Sequence, residues 1–150
     1  MTNTRNTFLF SWNPIKFPWA ELAEQAKLLR KGGKVEESWT CASHKKIKKG
    51  DRAFISIVGV ETRGLFASGY VSSPPYVGKN RKGNEAYRVL IELDALLDPS
   101  KEEILTLDLL RIGAMEKQLW TPQASGITIK PELLEELEAL WEDFLKPQQK

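Results

Sequence analysis

Residues 52–59 (RAFISIVG) form an almost unbroken apolar run, in which Ala53, Ile55 and Ile57 alternate with Phe54, Ser56 and Val58. A strand with apolar side chains on both faces must be covered on both sides, so it belongs at the centre of a sheet. The run opens after a turn signal, Gly50-Asp51. It is followed at short intervals by two more strand-like stretches, residues 64–72 (GLFASGYVS) and 85–93 (EAYRVLIEL). Connections this short favour a small curved sheet or barrel.

The flanks add further elements. Residues 7–12 (TFLFSW) read as a first strand, stopped by Asn13-Pro14. Pro18-Trp19 opens a helix with Trp19, Leu22, Ala23, Ala26 and Leu29 on one face, and Gly32-Gly33 ends it. Residues 34–40 (KVEESWT) make a second strand carrying Trp39. The Pro- and Gly-rich residues 73–84 read as loop. Residues 101–112 read as weak helix offering Ile104, Leu107 and Leu110 to the core, and residues 120–129 as loop followed by a short strand. Pro131 then starts a terminal helix with acidic residues in its first turn and a stripe of Leu133, Leu137, Leu140, Trp141 and Phe144. The expected class is α+β, a curved barrel or sheet of about five to six strands with flanking helices. A chain of 150 residues holds one such domain, with its core over residues 7–145 and residues 146–150 as a tail or the start of a linker.

The inventory for catalysis is poor. One histidine, His44, and one cysteine, Cys41, cannot alone complete a zinc site of Cys and His ligands. No phosphate-cradling GxxxxGK[ST] and no GxSxG occurs, and no acid is followed two positions later by Lys. Cys41 and His44 are spaced to form a thiol–imidazole pair, which leaves a small cysteine-dependent enzyme as one alternative. The other reading is a buried small cysteine beside a solvated histidine. No metal and no cofactor is expected, and binding is the default. A single cysteine excludes an internal disulfide and suits a reducing compartment. No apolar run is long enough to span a membrane, and the first residues lack the pattern of a signal peptide, so a cytoplasmic protein without membrane partners is expected.

The net charge of +2 hides an asymmetry. Residues 27–88 hold 14 Lys and Arg against 5 acids, a net +9, and the remainder carries −7. Two clusters stand out: Lys45, Lys46, Lys48 and Lys49 with Arg52, and Lys79, Arg81 and Lys82. Both lie in loop-like stretches and fit contacts to a phosphate backbone, or equally a solvated lysine surface.

Five tryptophans are many for this length. Trp19 and Trp141 fit helix stripes. Trp12, Trp39 and Trp120 stand at strand or loop edges beside small polar residues: Ser11 and Asn13, Ser38 and Thr40, and Ser125 a few residues on. An aromatic ring beside hydroxyls and amides suits an extruded nucleobase, the ring stacking on it and the polar groups reading its edge. The same residues suit the capping of barrel ends.

The segments FLFSWN (8–13), ESWT (37–40), GDRAFISIVG (50–59), GLFASGYVSSPPY (64–76), YRVLIEL (87–93) and SGITIKPELLEELEALW (125–141) in this order resemble the EVE domain. That family has a PUA-like barrel related to the YTH readers of methylated adenine. The stretch W-x-P-Q-x-S-G-I at 120–127 is similar to EVE modules that precede HNH nucleases in modification-dependent restriction systems. The resemblance implies a binding domain without enzymatic activity of its own, which flips a modified base of double-stranded DNA, 5-methylcytosine or 5-hydroxymethylcytosine, into an aromatic cage. It also implies a fused or associated HNH-type nuclease as partner. Modified RNA is the alternative ligand. Carried over by position, the pocket would use Trp12, Asn13, Ser38, Trp39, Thr40, Ser43, Tyr76, Trp120, Ser125 and Gly126. Lys45, Lys46, Lys48, Lys49, Arg52, Lys79, Arg81 and Lys82 would hold phosphates. Relatives often carry Arg-Asn after the first cage tryptophan where this chain has Cys41-Ala42-Ser43-His44, and Ser43 would take that role.

Overall fold

A computed structural model describes residues 6–60, 62–80, 82–120 and 125–148. The central run becomes β3 (Arg52–Ile57), every residue of which is buried. It lies between β1 (Thr7–Trp12), to which it is parallel, and β4 (Gly64–Val71), to which it is antiparallel. Phe8, Leu9, Phe10, Ala53, Phe54, Ile55, Leu65, Phe66 and Ala67 on these three strands are all fully buried, as a doubly covered sheet centre requires. Outside β4 come β6 (Glu85–Leu96) and then β2 (Val35–Thr40). Outside β1 comes β8 (Ile127–Thr128), giving the order β2-β6-β4-β3-β1-β8. The result is a curled, mixed, half-barrel sheet with a few helices, an α+β fold of the expected class.

Two register shifts bend the sheet, one between Ile55 and Ser56 in the β3–β4 pairing and one between Ser68 and Gly69 in the β4–β6 pairing. Gly69 is required at the second. A Cβ there would lie 2.3 Å from the Glu92 carbonyl oxygen, so any side chain would push β6 away. The curl brings the two ends of the sheet together. Just past β2, the Ala42 and Ser43 amides donate to the carbonyls of Ser125 (2.8 Å) and Gly126 (3.1 Å), immediately before β8.

Four local expectations need correction. The helix over the early stripe, α1 (Leu22–Arg30), starts after Trp19, which lies in the preceding turn. The segment 73–84 contains a strand, β5 (Tyr76–Lys79), paired with the start of β6. Its side chains are mostly exposed and it carries Gly78, so neither burial nor alternation marks it in the sequence. Residues 101–112 hold a two-residue strand, β7 (Leu105–Thr106), on β4, and a single helical turn, α2 (Leu107–Leu110). The terminal helix α3 (Leu134–Gln148) follows a 3₁₀ turn at Pro131–Leu133 and extends into the segment expected as a tail. Leu133, Leu137, Trp141 and Leu145 bury one stripe, with Trp141 edge-on to Phe54 at 6.1 Å. Among the described residues, no helix is long and apolar enough to cross a membrane.

Candidate functional site: a three-tryptophan pocket at the sheet seam

Among the described residues β2 pairs with β6 alone, which leaves its other edge open. The Cys41 amide donates to the Tyr87 carbonyl, and by the alternation of an antiparallel pair Ser38 and Thr40 therefore turn their main-chain groups toward that open edge. Where β2 has not yet met the residue 125–126 segment, the seam widens into a pocket of about 490 Å³. This lies in the range of pockets that hold small ligands.

Three tryptophans line it: Trp12 at the end of β1, Trp19 in the turn before α1, and Trp39 on β2. Their rings form a continuous angular wall. Trp12 and Trp19 meet at 5.6 Å and 90°, Trp19 and Trp39 at 5.6 Å and 69°. Beneath them Phe66 of β4 supports Trp12 at 5.3 Å and Trp19 at 6.2 Å. Hydrogen bonds fix two of the indoles. Trp12 Nε1 donates to the Phe17 carbonyl at 2.7 Å, and Trp19 Nε1 to Gln25 Oε1 at 2.7 Å. Gln25 Nε2 in turn donates to Glu37 Oε2 at 2.9 Å, and Glu37 is itself a wall residue. The relay sets the tilt of Trp19 and leaves a carboxylate at the pocket.

Polar groups complete the lining. Ser11 forms part of the wall, and its buried Oγ has no hydrogen-bond partner among the described residues. An unsatisfied buried hydroxyl costs about 1–3 kcal/mol, so this one has a hydrogen bond to give to or take from whatever enters the cavity beside it. Its amide is held by Ser125 Oγ at 3.1 Å. On the opposite side Arg88 donates through Nε to Ser38 Oγ (2.8 Å), through Nη2 to the Ser38 carbonyl (3.0 Å) and through Nη1 to the Lys79 carbonyl (3.1 Å). All three acceptors are neutral, so the Arg88 charge reaches the rim uncompensated by an ion pair among the described residues. Asn80 and Lys82, at the tip of the β5–β6 hairpin, close that side.

The sequence-predicted residues fall into distinct places. Trp12, Ser38, Trp39, Thr40 and Lys82 line the pocket. Tyr76 stands beside it, its hydroxyl 2.6 Å from Ser38 Oγ, and braces Ser38 and Arg88 without offering its ring as a wall. Asn13 turns away: its Oδ1 accepts the Ile15 amide at 3.0 Å and shapes the next turn. Ser43 and Gly126 are spent on the main-chain seam, where a Cβ on Gly126 would strike Cys41 at 2.9 Å, and Ser125 is spent on the same seam through its carbonyl and on the Ser11 amide through its Oγ. Trp120 is fully buried, with Nε1 donating to the Met115 carbonyl at 2.9 Å, so it is core and not a stacking surface. Lys45, Lys46, Lys48 and Lys49 are exposed around buried Ile47, and Lys79 is exposed on β5. Arg81 lies outside the described residues.

Arg52 requires a correction. Its side chain is only 7% exposed and bonds Asp94 (2.8 Å) and Glu138 (2.9 Å), with the Gly69 carbonyl at 3.2 Å and the rings of Phe54 and Tyr70 on either side. Burial pulls its pKa down, but the Glu138 hydrogen bond and the charges of Asp94 and Glu138 outweigh this, and the net shift is upward. This cation is spent in holding α3 to the sheet and is not available to a phosphate.

Cys41 and His44 do not meet as a catalytic pair. Cys41 is 4% exposed, whereas His44 stacks flat on Tyr87 at 3.8 Å and 10°. Burial pushes the Cys41 thiol above its ordinary value, against a smaller opposing pull from the Ser43 backbone hydrogen bond. The thiol is therefore protonated near neutral pH and shielded. Iodoacetamide at pH 8 is expected to label native protein about tenfold or more slowly than protein unfolded in guanidinium. Equal rates would contradict this placement.

Ser11, Phe17, Pro18, Trp19, Glu21, Glu37, Asn80 and Arg88 are the wall residues absent from the sequence-predicted set. Ser11 carries a signal as the polar neighbour of Trp12, whereas the spacing of Trp19 to Leu22, Ala23 and Ala26 fits a helix face equally well. Arg88 carried none, since its role depends on the β2–β6 register.

No protein-family model matches the chain, and no curated protein matches it. Solved structures do. A hypothetical protein from Leishmania major aligns over 95% of this chain and 98% of its own at 15% identity, with a TM-score of 0.68. A protein from Rhodopseudomonas palustris aligns over 91% and 93% at 16% identity and a TM-score of 0.62. One from Pseudomonas syringae aligns over 89% and 98% at 14% identity and a TM-score of 0.61. At such identity the likeness is one of fold.

Proposed function

We propose that this domain binds nucleic acid and takes one modified base out of the stack into the pocket between Trp12, Trp19 and Trp39. The observation that carries the reading is the conjunction of that aromatic wall with Ser11 Oγ, buried and without a hydrogen-bond partner among the described residues, beside the open edge of β2. Aromatic walls stack on any base. The hydroxyl and the main-chain groups of Ser38 and Thr40 supply donors and acceptors for a base edge. Glu37 favours a base with an exocyclic amine, because a carboxylate accepts from the N4 amine of cytosine and repels a carbonyl. The preferred ligand is 5-methylcytosine or 5-hydroxymethylcytosine in double-stranded DNA, with modified RNA as the alternative polymer. On this reading the domain is the specificity module of a modification-dependent restriction system, and cleavage belongs to an HNH-type nuclease fused to it or associated with it.

Rim and surface charges have separate work. Arg88, Lys82 and the exposed lysines of residues 45–49 would contact phosphates, which position a strand without reading its sequence. Binding to one duplex, prepared unmodified, 5-methylated and 5-hydroxymethylated at about 150 mM salt, tests the reading. Selective affinity for one modified form is expected. Equal, salt-sensitive affinity for all three DNA forms, and for an unmodified RNA control, would remove the base-reading role. In the double variant Lys45→Ala/Lys46→Ala, affinity for all three duplexes should fall alike. The slope of log K against log salt should flatten by about two. A change in selectivity would instead place these lysines at the pocket.

A further inference from the structure

Trp12 is followed by a short turn, residues 13–18, whose tip carries an apolar side chain, Ile15, far out in solvent. Ile15 is 72% exposed and Phe17 46%, with Lys16 between them. The turn is nevertheless stiff. The Asn13 carbonyl accepts the amides of Lys16 (3.2 Å) and Phe17 (2.9 Å), Asn13 Oδ1 accepts the Ile15 amide, and Trp12 Nε1 holds the Phe17 carbonyl. Pro14 and Pro18 restrict the backbone at either side of the tip. The Asn13 amide also sits against Gly59, where a Cβ would come within 2.4 Å of its Nδ2, so the turn is seated on the segment after β3. Phe17 and Pro18 form part of the pocket mouth. A rigid, apolar-tipped projection thus stands at the rim of the tryptophan pocket, in the same stretch of chain.

Removing a base from a duplex leaves a gap in the stack, and the unstacking costs a few kcal/mol per step. Proteins that distort duplexes recover part of this by inserting an apolar side chain between base steps. We propose that residues 13–18 are such a wedge: Ile15 enters the duplex at the vacated position, backed by Phe17, while the extruded base occupies the neighbouring pocket. Lys16 is placed to meet the flanking phosphate. This rests on the base-binding reading above and deepens it, because a wedge has work only on a duplex. The ligand is then a base within paired nucleic acid and not one in a free single strand.

The test compares wild type with Ile15→Ser on one modified strand presented three ways: as a perfect duplex, as a duplex mismatched at the modified base, and as a single strand. Ile15 is exposed and outside the core, so the variant should fold normally, which a melting curve verifies. Affinity for the perfect duplex is expected to fall about tenfold. The mismatched duplex, whose base is already loosened, should lose less, and the single strand should be unaffected. An equal loss on all three forms, or no loss on the perfect duplex, overturns the wedge while leaving the pocket reading intact. If wild type shows no preference for the modified base in any form, the pocket reading fails and the wedge falls with it.

Discussion

Trp39→Ala should reduce affinity for the modified duplex by about 10- to 100-fold and bring it level with the unmodified one. Trp39 lies on the open-edge strand β2, part-buried, its ring T-shaped to that of Trp19 at 5.6 Å and its indole N–H without a partner among the described residues. Stacking on one base contributes about 1–3 kcal/mol, and each 1.4 kcal/mol is a factor of ten. The loss should be confined to selectivity: residual binding through Arg88, Lys82 and the lysine loop should keep its salt dependence. The domain should stay folded, because the sheet centre of Phe8, Phe10, Phe54 and Phe66 is complete without this ring. A folded Trp39→Ala protein that still discriminates would move the cage elsewhere. Trp39→Phe keeps a smaller stacking surface and should fall between the two.

The second large effect concerns stability. The Arg52 guanidinium is buried, whereas Asp94 and Glu138 are each near 44% and 43% exposed and can hydrate. Removing both carboxylates, Asp94→Ala/Glu138→Ala, strands a cation between Phe54 and Tyr70. Breaking a buried pair from that side costs about 3–5 kcal/mol, and partial exposure of the acids places the expected value near the lower end. At about 3 kcal/mol, Tm should fall by roughly 6–12 °C in a chain of this size. Arg52→Met removes the charge itself, fills a similar volume and leaves two carboxylates that reach water. It should cost roughly 1 kcal/mol. Thermal melting of both variants decides the matter: a greater loss in Arg52→Met would mean that packing and the Gly69 hydrogen bond, not the uncompensated charge, dominate. Arg52→Met should also bind duplexes as wild type does. A loss like that of the surface-lysine variant would return Arg52 to the phosphate interface.

Much of this architecture is legible along the chain. The apolar run at 52–57 announces a doubly covered strand because burial on both faces removes alternation. The stripe through Leu133, Leu137 and Trp141 announces the last helix because its spacing matches the helical period. Trp12 and Trp39 stand out because large rings beside serines at strand ends are costly unless something covers them. Trp19 did not, since its spacing to Leu22, Ala23 and Ala26 fits a helix face equally well. Only the start of α1 at Leu22 frees it for the pocket. Trp120 failed in the opposite sense: polar neighbours suggest exposure, yet the chain folds it inward, where Ser56 Oγ donates to its carbonyl at 3.3 Å.

Periodicity and burial within a few consecutive residues are enough to set the class of fold, its central strand, its terminal helix and the supply of aromatic rings. The tertiary structure alone decided which rings face a cavity and which cations are spent. Arg52 looks like the last member of a basic loop until Asp94 and Glu138, 42 and 86 residues away, close on it. The pocket exists because a curled sheet joins at Ala42–Ser43 and Ser125–Gly126 and gapes beside Trp39, a consequence of strand order and bulges. Neither the partners of a buried charge nor the width of a seam is encoded in any single segment, since both arise only when distant strands are brought into register.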